Sequence, residues 1–326
     1  TSTQIPHIAR VTLSGTTGIP EHKLRIVAPD VGGAFGAKLN VYAEEALCLA
    51  LARRTGRAVK WIEDRSENYA VTVHGRGVIH DVEVAATEEG KILGFRVKEL
   101  CDMGAYFQLL TPGIPELGGW VYMGPYDTEG YWYEFTGVMT NMAPTDAVRG
   151  AGRPEATYLV ERAVHTVARH VGKDPAEIRR ISFAPSHAEA KPSLMGLQID
   201  SADYLPTFER ALELADYEQY RKEQAARRDS GEVKQIGIGL SSYIEMSGLA
   251  PSNILGALRY AAGGWEAAQV RCQPSGKVTL TIGTSPHGQG HDTTWSQTAA
   301  DELGVHPDDV EVLHGDTSIA PLGMDT

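Results

Sequence analysis

Apolar residues recur along the chain with two different periods, which predicts a mixture of strands and helices. Between residues 78 and 84 they alternate with polar residues, and a Thr-Glu-Glu-Gly-Lys turn leads into a second apolar segment at 92–97. This pattern predicts a long antiparallel hairpin whose alternate face is polar. After Arg153, four valines repeat at helical spacing until Gly172, which predicts a helix. Hairpins mixed with helices favour an α+β fold over a doubly wound sheet.

The rest of the chain gives shorter signals of the same two kinds. Further strands are predicted at 24–28, 236–244, 266–273, 278–282 and 310–313. Further helices are predicted at 43–54, from Asp174 onward in capping-box style, at 203–215 and at 293–303. The Gly-, Pro- and aromatic-rich stretch 111–133 is interpreted as irregular, 184–198 as a crossing segment, and the charged stretch 220–228 as a connector.

Composition narrows the classes of partner. The 326 residues are 42% hydrophobic, which suffices for cores in about two domains. A net charge of -12 and the lack of a basic, aromatic-interleaved stripe argue against nucleic acid. No apolar run approaches the roughly 20 residues of a membrane span. Cys48, Cys101 and Cys272 fit neither a disulfide framework nor a metal motif, so we expect buried thiols in a cytoplasmic protein.

The segment 146–155 is the most informative part of the sequence. It places Arg149, Gly150 and Gly152 on a tight loop directly before a helix, and Pro154 is pre-set for the first helical turn. Glycines let such a loop approach a large ligand closely, although an unusual helix start would have the same pattern. Arg149 is a candidate to stabilise negative charge, with structural pairing to an acid such as Asp146 as the alternative.

Two more glycine-rich loops each follow a predicted strand and precede a helix. In 31–38, glycines surround Phe35, so backbone N–H groups can face an anion or oxo ligand, unless this is an ordinary turn. In 283–294, His287 and His291 have the spacing of a metal pair on a helix, but the intervening glycines disfavour a helix there. A phosphate-cradling loop is the better interpretation, with a solvated polar turn as the alternative.

These three loops and the N-terminal Ser2-Thr3-Gln4, in this order, resemble the molybdenum-binding large subunit of the xanthine dehydrogenase, aldehyde oxidase and aerobic carbon monoxide dehydrogenase family. The resemblance spans the chain and implies the α+β molybdopterin-binding fold, with mixed sheets and long hairpins packed with helices. It implies a first cofactor-binding domain at 1–195, a helical connector at 196–234, and the beginning of a second cofactor-binding domain at 235–326.

The resemblance also assigns expected roles. Gln4, Arg149 and Gly150 would be catalytic, with the Gln4 amide reaching an oxygen ligand of the metal. No side chain would ligate the metal directly. The residues expected to bind the molybdopterin cofactor, in its cytosine dinucleotide form, are Gly33, Ala34, Phe35, Gly36, Arg149, Gly288, Gln289, Gly290, His291 and Thr293. Thr294 is a further candidate donor. Partners would be iron–sulfur and FAD subunits or domains of an oligomeric complex, since the chain itself has no cysteine spacing for clusters.

Three departures from the family refine the expected reaction. Copper-containing relatives have a cysteine at the position of Gly150, so a molybdenum–copper centre is not expected. Purine-oxidising relatives have a glutamate at the position of Leu39, which argues against xanthine. The family's catalytic glutamate, in a G-x-G-E stretch, does not occur before Thr326. We therefore expect a central fragment of an enzyme that oxidises an aldehyde or N-heterocycle with water as the oxygen source. The fragment alone is expected to be inactive, free of cofactor and prone to self-association. The alternative is a non-catalytic binding or assembly module.

Overall fold

The computed structural model describes residues 1–246, 256, 264 and 266–323. Its larger sheet contains β1 (Val78–Ala86), β2 (Ile92–Gly104) and β3 (Gly130–Met139), in that order. β1 and β2 are antiparallel, whereas β2 and β3 are parallel. The predicted hairpin is confirmed, and alternate residues of β1 are exposed, as the polar alternation requires.

Eight helices accompany this sheet in the first 229 residues. They are α1 (Pro6–Thr17), α2 (Ala43–Thr55), α3 (Arg65–Val71), α4 (Gly113–Gly119), α5 (Arg153–Val171), α6 (Pro175–Ser182), α7 (Tyr204–Leu214) and α8 (Tyr217–Asp229). The predicted helix after Arg153 is α5, and it ends at Gly172 with φ +71°. Its valines at 160 and 164 pack with Ile92, Phe95 and Val97 of β2 in the main core. This packing holds the loop before α5 against the sheet.

A buried ion pair joins α5 and α6 behind that core. Arg179 is 0% exposed, and its Nη2 lies 2.6 Å from Oε2 of Glu161. Tyr126 also donates to Glu161, and the amide of Ser242 donates to it at 2.8 Å. The guanidinium donates in addition to the carbonyl oxygen of Leu240 at 3.0 Å. The pair therefore ties the chain leaving α8 to the two helices.

Two short strands of two residues each, β4 (Lys191–Pro192) and β5 (Gln198–Ile199), pair with each other after α6. The second large sheet follows and is built from β6 (Ala268–Cys272), β7 (Val278–Ile282) and β8 (Val310–Leu313). β6 is antiparallel and β8 parallel to β7. Helix α9 (His291–Leu303) packs on this sheet through Ala300. Both sheets are mixed and helix-covered, which confirms the α+β prediction.

Three predicted elements are wrong. Residues 24–28 make only an isolated bridge, Val27 to Asp316, because the adjoining backbone groups pair with residues 315–317 and Pro29 has no N–H to continue a ladder. The stretch 111–133 is not irregular throughout: it contains α4 and the start of β3. Residues 236–244 form no strand in the described part of the chain, since side chains take their backbone groups, as at Ile236 and Leu240.

Smaller differences concern element ends and the cysteines. The charged stretch 220–228 lies inside α8, and α9 begins two residues before the predicted position. Cys101 is buried as expected, but Cys48 is partly exposed and Cys272 is exposed on β6, so the interpretation as buried thiols holds for Cys101 alone. Among the described helices, none combines the length and apolarity that crossing a membrane requires.

Candidate cofactor pocket

Backbone and side-chain hydrogen bonds bring the four predicted segments together. The amide of Gly36 donates to Oε1 of Gln4 at 2.9 Å. The amide of Arg149 donates to the carbonyl oxygen of Phe35 at 2.8 Å, and the amide of Gly33 donates to that of His287 at 3.1 Å. Gln4 is buried, so its side chain supports the 31–38 loop from beneath. All four segments therefore meet at that loop.

The 31–38 loop has a backbone that requires glycine. Phe35 and Gly36 have φ values of +57° and +95°. A Cβ atom at residue 36 would lie 2.2 Å from the carbonyl oxygen of Ala147, so only glycine allows the two loops to touch. The amides of Ala34 and Phe35 have no acceptor among the described residues. The Phe35 side chain is 61% exposed. The loop thus offers two free donors beside an open apolar ring.

The loop before α5 turns through consecutive left-handed residues. Gly150, Ala151 and Gly152 have φ values of +100°, +41° and +89°. Gly152 passes so close to α4 that a Cβ atom would lie 2.2 Å from the carbonyl oxygen of Ile114. Nη2 of Arg76 donates to the carbonyl oxygen of Arg149 at 2.6 Å and holds the loop from the other side. The predicted tight loop is therefore fixed at both of its sides.

The Arg149 side chain is exposed and pairs with no acid among the described residues. Asp146, the alternative partner, is fully buried and accepts from the amides of Leu110 at 2.9 Å and Ala147 at 2.5 Å. Burial raises the pKa of the Asp146 carboxyl, and these hydrogen bonds oppose that rise. Asp146 therefore anchors the loop, and the Arg149 guanidinium stays open to a ligand.

The 283–294 loop is helical only from His291 onward. Gly288 and Gly290 have φ values of +114° and +80°, and a Cβ atom at either would meet nothing within 4 Å. Gln289 folds back, and its Oε1 accepts from the amide of His287 at 2.6 Å. Thr293 lies exposed in the first turn of α9. These residues leave open space at the positive end of the helix, as an anion site requires.

Two expected donors in this loop already have partners. The Thr294 hydroxyl donates to the carbonyl oxygen of Gly290 at 3.1 Å, and Nε2 of Gln289 lies 2.9 Å from Nε2 of His287. Three buried polar atoms of the same region have no partner among the described residues: Ser285 Oγ, His291 Nδ1 and His314 Nδ1. Buried polar groups are normally hydrogen-bonded, so their grouping fits a large polar ligand. Burial lowers the pKa of His291, and the nearby His287 and His314 lower it further.

Sequence reasoning missed His314 and the residues after it. Nε2 of His314 lies 3.2 Å from Oδ1 of Asp292 in the first turn of α9. Asp316 makes a bidentate pair with Arg25, and the amide of Ala28 donates to the carbonyl oxygen of Gly315 at 2.7 Å. The signal was a His-Gly-Asp-Thr sequence directly after the predicted strand 310–313. This segment docks the second sheet beside the 31–38 loop.

Leu39 does not line an open pocket. It is 7% exposed and packs with Ile5, Ile114 and Ala147 beneath the loops. In the described structure Leu39 therefore supports the loops from within the core. No group of three or more His, Cys, Asp or Glu residues within the described ranges could hold a metal ion. The free amides of the 31–38 loop and the exposed Arg149 guanidinium fit an anionic ligand.

Comparisons with known proteins agree with this geometry. Residues 1–183 and 210–326 each match a family described as "Molybdopterin cofactor-binding domain". The chain is 39% identical over its whole length to the carbon monoxide dehydrogenase large chain of Hydrogenophaga pseudoflava, covering 41% of that protein. It is 32% identical over its whole length to the nicotine 6-hydroxylase large subunit of Paenarthrobacter nicotinovorans, covering 40% of it.

Among solved structures, quinoline 2-oxidoreductase from Pseudomonas putida 86 superposes with a TM-score of 0.92 at 33% identity, over 99% of this chain and 41% of that one. The chain belongs to the molybdenum-binding large subunits of the xanthine dehydrogenase and carbon monoxide dehydrogenase family. It spans about two fifths of the length of the curated relatives it matches. The relatives are named as large chains or large subunits, that is, as components of multi-subunit proteins.

Proposed function

We propose that the complete protein is a molybdenum hydroxylase that oxidises an aldehyde or an aromatic N-heterocycle, with water as the oxygen source. The observation that carries this proposal is the meeting of Gln4, the Phe35 loop, the Arg149 loop and the His287 loop through direct hydrogen bonds. Three glycine-rich loops with unpaired donors at one place form a pocket for a large anionic ligand.

The residues of the pocket divide the work of holding the cofactor. When bound, the molybdenum cofactor supplies the two-electron oxidation. The free amides of Ala34 and Phe35 would donate hydrogen bonds to it, and the Gln4 side chain holds the neighbouring amide of Gly36. The Arg149 guanidinium provides a fixed positive charge for negative charge that develops during the reaction. The Gly288–His291 loop and the N-terminus of α9 suit a phosphate group, which supports the cytosine dinucleotide form.

The wider organisation is proposed on the same basis. The two family matches and the helices α7 and α8 between them support a first domain at 1–195, a connector at 196–234 and a second domain from 235. Electrons would leave through iron–sulfur and FAD partners, since the free thiols at 48, 101 and 272 are far apart in sequence. The free thiols also support a location in the reducing cytoplasm.

Gly150 supports an organic substrate over carbon monoxide. It has no thiolate to hold copper, and its φ of +100° puts a Cβ atom 2.4 Å from Cγ of Pro154, which disfavours a side chain there. The exposed Phe35 ring adds an apolar surface to the pocket. Two relatives whose names specify quinoline and nicotine support an N-heterocycle in particular.

The test compares substrates on the complete, cofactor-loaded complex. Quinoline, nicotine-like heterocycles and aromatic aldehydes are assayed beside carbon monoxide with a dye as electron acceptor, and copper is measured in the same preparation. We expect oxidation of at least one heterocycle or aldehyde, and no stoichiometric copper. Robust carbon monoxide oxidation with copper bound near Gly150 would refute the proposal.

The role of Gln4 is tested by two substitutions, one of which removes the hydrogen-bond acceptor for Gly36 while the other keeps it. Gln4→Ala removes the acceptor of the partly buried Gly36 amide, and leaving a donor unpaired costs up to about 1–3 kcal/mol when it is buried. Gln4→Glu retains an acceptor for that amide but cannot donate. We expect Gln4→Ala to lower thermal stability and cofactor content, whereas Gln4→Glu keeps the contact with the Gly36 amide and loses activity. Equal activity of Gln4→Glu and the wild type would show that no donation by Gln4 is needed.

A further inference from the structure

A cluster of buried polar side chains crosses the larger sheet beneath the Arg149 loop. This Glu99 cluster contains His80, Glu99, Cys101, Tyr122 and Tyr133. The hydroxyls of Tyr122 and Tyr133 donate to Oε2 of Glu99 at 2.7 and 2.8 Å, and the Cys101 thiol lies 3.1 Å from Oε1. Nε2 of His80 lies 3.0 Å from the Tyr122 hydroxyl. Four side chains that can carry an exchangeable proton thus surround the Glu99 carboxylate.

Glu99 is 4% exposed, so its carboxylate depends on these contacts. Burial acts to raise the pKa of Glu99, but the nearby His80 and the hydrogen bonds from Tyr122, Cys101 and Tyr133 together outweigh it and keep the pKa below its usual value. A buried carboxylate surrounded by donors is costly to build in a sheet core, where apolar residues would pack without such requirements. We therefore expect the Glu99 cluster to have a role other than packing.

One end of the cluster reaches an open groove. His80 lines a groove of about 950 Å³ between β1 and α5, together with Arg162 and His170. Its side chain is 12% exposed, whereas Tyr122 behind it is fully buried. His80 is thus the group of the cluster that can exchange protons with solvent on the groove side.

The other end approaches the helix that follows the Arg149 loop. Glu155, in the first turn of α5, is 9% exposed, and its Oε2 is buried with no partner among the described residues. Glu155 and Glu99 line the same small cavity of about 10 Å³, with Arg76, Cys101 and Asp102 also on its wall. Such a cavity has room for about one water molecule, and its polar lining can hold it.

We propose that Glu155, a water molecule in this cavity, Glu99, Tyr122 and His80 form a proton path from the cofactor pocket to the groove between β1 and α5. This inference rests on the proposed function, because oxidation of a carbon centre with water releases protons in the pocket. The path is continuous except at the cavity, where one water molecule with two hydrogens can bridge the two carboxylates. Glu155 receives the proton, because it lines this cavity together with Gly152 of the Arg149 loop.

Each transfer breaks and forms one bond to hydrogen, and no group is consumed. The proton passes from Glu155 through the water to Glu99. Protonated Glu99 donates to the Tyr122 oxygen once the Tyr122 hydroxyl has turned from Oε2 of Glu99 toward Nε2 of His80. The hydroxyl hydrogen moves to Nε2, and His80 releases a proton from Nδ1 to solvent. Exchange of the ring protons with solvent on the groove side then restores the Nδ1–H tautomer. Tyr122 never has to ionise, which matters because burial raises the pKa of its hydroxyl strongly. Direct transfer from Glu99 to His80 is blocked by distance, since Nε2 and Oε1 are 3.6 Å apart.

The two tyrosines provide a matched pair of variants. Tyr122→Phe and Tyr133→Phe each remove one hydroxyl that donates to the same oxygen of Glu99, but only Tyr122 also contacts His80. In single-turnover experiments on the complete, loaded complex, proton release is followed with a pH indicator and cofactor reduction by absorbance. We expect Tyr122→Phe to slow proton release about 100- to 10,000-fold, in the range for loss of a positioned proton-transfer group, and Tyr133→Phe to leave it near the wild-type rate.

Two further measurements separate the path from a structural role. Imidazole in the buffer should restore proton release in His80→Ala, and it should have no effect on Tyr122→Phe. A high-resolution crystal structure should show a water molecule within hydrogen-bond distance of both Glu155 Oε2 and Glu99, whether or not the enzyme turns over. If the complex oxidises its substrate but the two tyrosine variants release protons equally fast, the path is refuted while the proposed function stands. If no organic substrate is oxidised, the proposed function fails instead.

Discussion

Replacing Gly36 with alanine is expected to empty the cofactor pocket of the complete enzyme. The new Cβ atom would lie 2.2 Å from the carbonyl oxygen of Ala147, a backbone atom that cannot move without displacing the Arg149 loop. The residue also holds φ at +95°, which strains any side chain. Displacing groups around a reacting centre by about 1 Å can cost on the order of 100-fold in rate. We expect activity to fall at least that far, and molybdenum content to fall with it.

Gly32→Ala is the matched control, because it lies in the same loop and a Cβ atom there would meet nothing within 4 Å. Its φ is not in the left-handed region, so alanine introduces no backbone strain. Molybdenum per subunit, measured by mass spectrometry, should be normal in this variant. Full molybdenum content in Gly36→Ala would mean that the contact between the two loops does not shape the pocket.

Replacing the buried Arg179 with methionine is expected to lower the free energy of unfolding strongly. The guanidinium is fully buried and donates to Glu161 at 2.6 and 3.1 Å and to Leu240. Its removal leaves the Glu161 carboxylate buried without its cation, which typically costs about 3–5 kcal/mol. Urea unfolding should report a decrease of this size in the free energy of unfolding.

Arg180→Met, one residue along the same helix, controls for that change. Arg180 pairs with Glu209 at 2.5 Å, but the two side chains are 37% and 44% exposed. Exposed pairs contribute about 0–1 kcal/mol, so this variant should unfold nearly as the wild type does. A similar decrease in the free energy of unfolding in both variants would show that burial does not strengthen the contribution of the Arg179–Glu161 pair.

The sequence pattern is sufficient for elements that obey one simple rule. The hairpin of β1 and β2 follows from strict alternation and a turn, and α5 follows from its valine spacing and from Gly172. Tertiary contacts decide the elements that were predicted wrongly. α4 contains Gly113, Gly118 and Gly119, which disfavour a helix by propensity, yet Gly118 packs against the carbonyl oxygen of Gly152. Residues 236–244 look like a strand but bond to Gln224 and Arg179 side chains.

The pocket, like the fold, could be predicted from the sequence only in part. The loops were identifiable because glycine-rich sequences between strands and helices are rare and each had a chemical interpretation. Their mutual contacts, such as Arg149 to Phe35, join residues more than a hundred positions apart and have no local signal. His314 and the Glu99 cluster were missed for the same reason. A lone polar residue in a strand is ordinary in sequence and becomes informative only when its burial and neighbours are known.

Diffraction at the molybdenum absorption edge, on crystals of the complete subunit, tests the central claim most directly. The account predicts a single anomalous peak in the pocket formed by Gln4, the Phe35 loop, the Arg149 loop and the His287 loop. Density for a pterin should run from the amides of Ala34 and Phe35 toward the N-terminus of α9. A subunit that binds no molybdenum after expression with active cofactor maturation, or binds it elsewhere, would contradict the account and favour a non-catalytic module with the same fold.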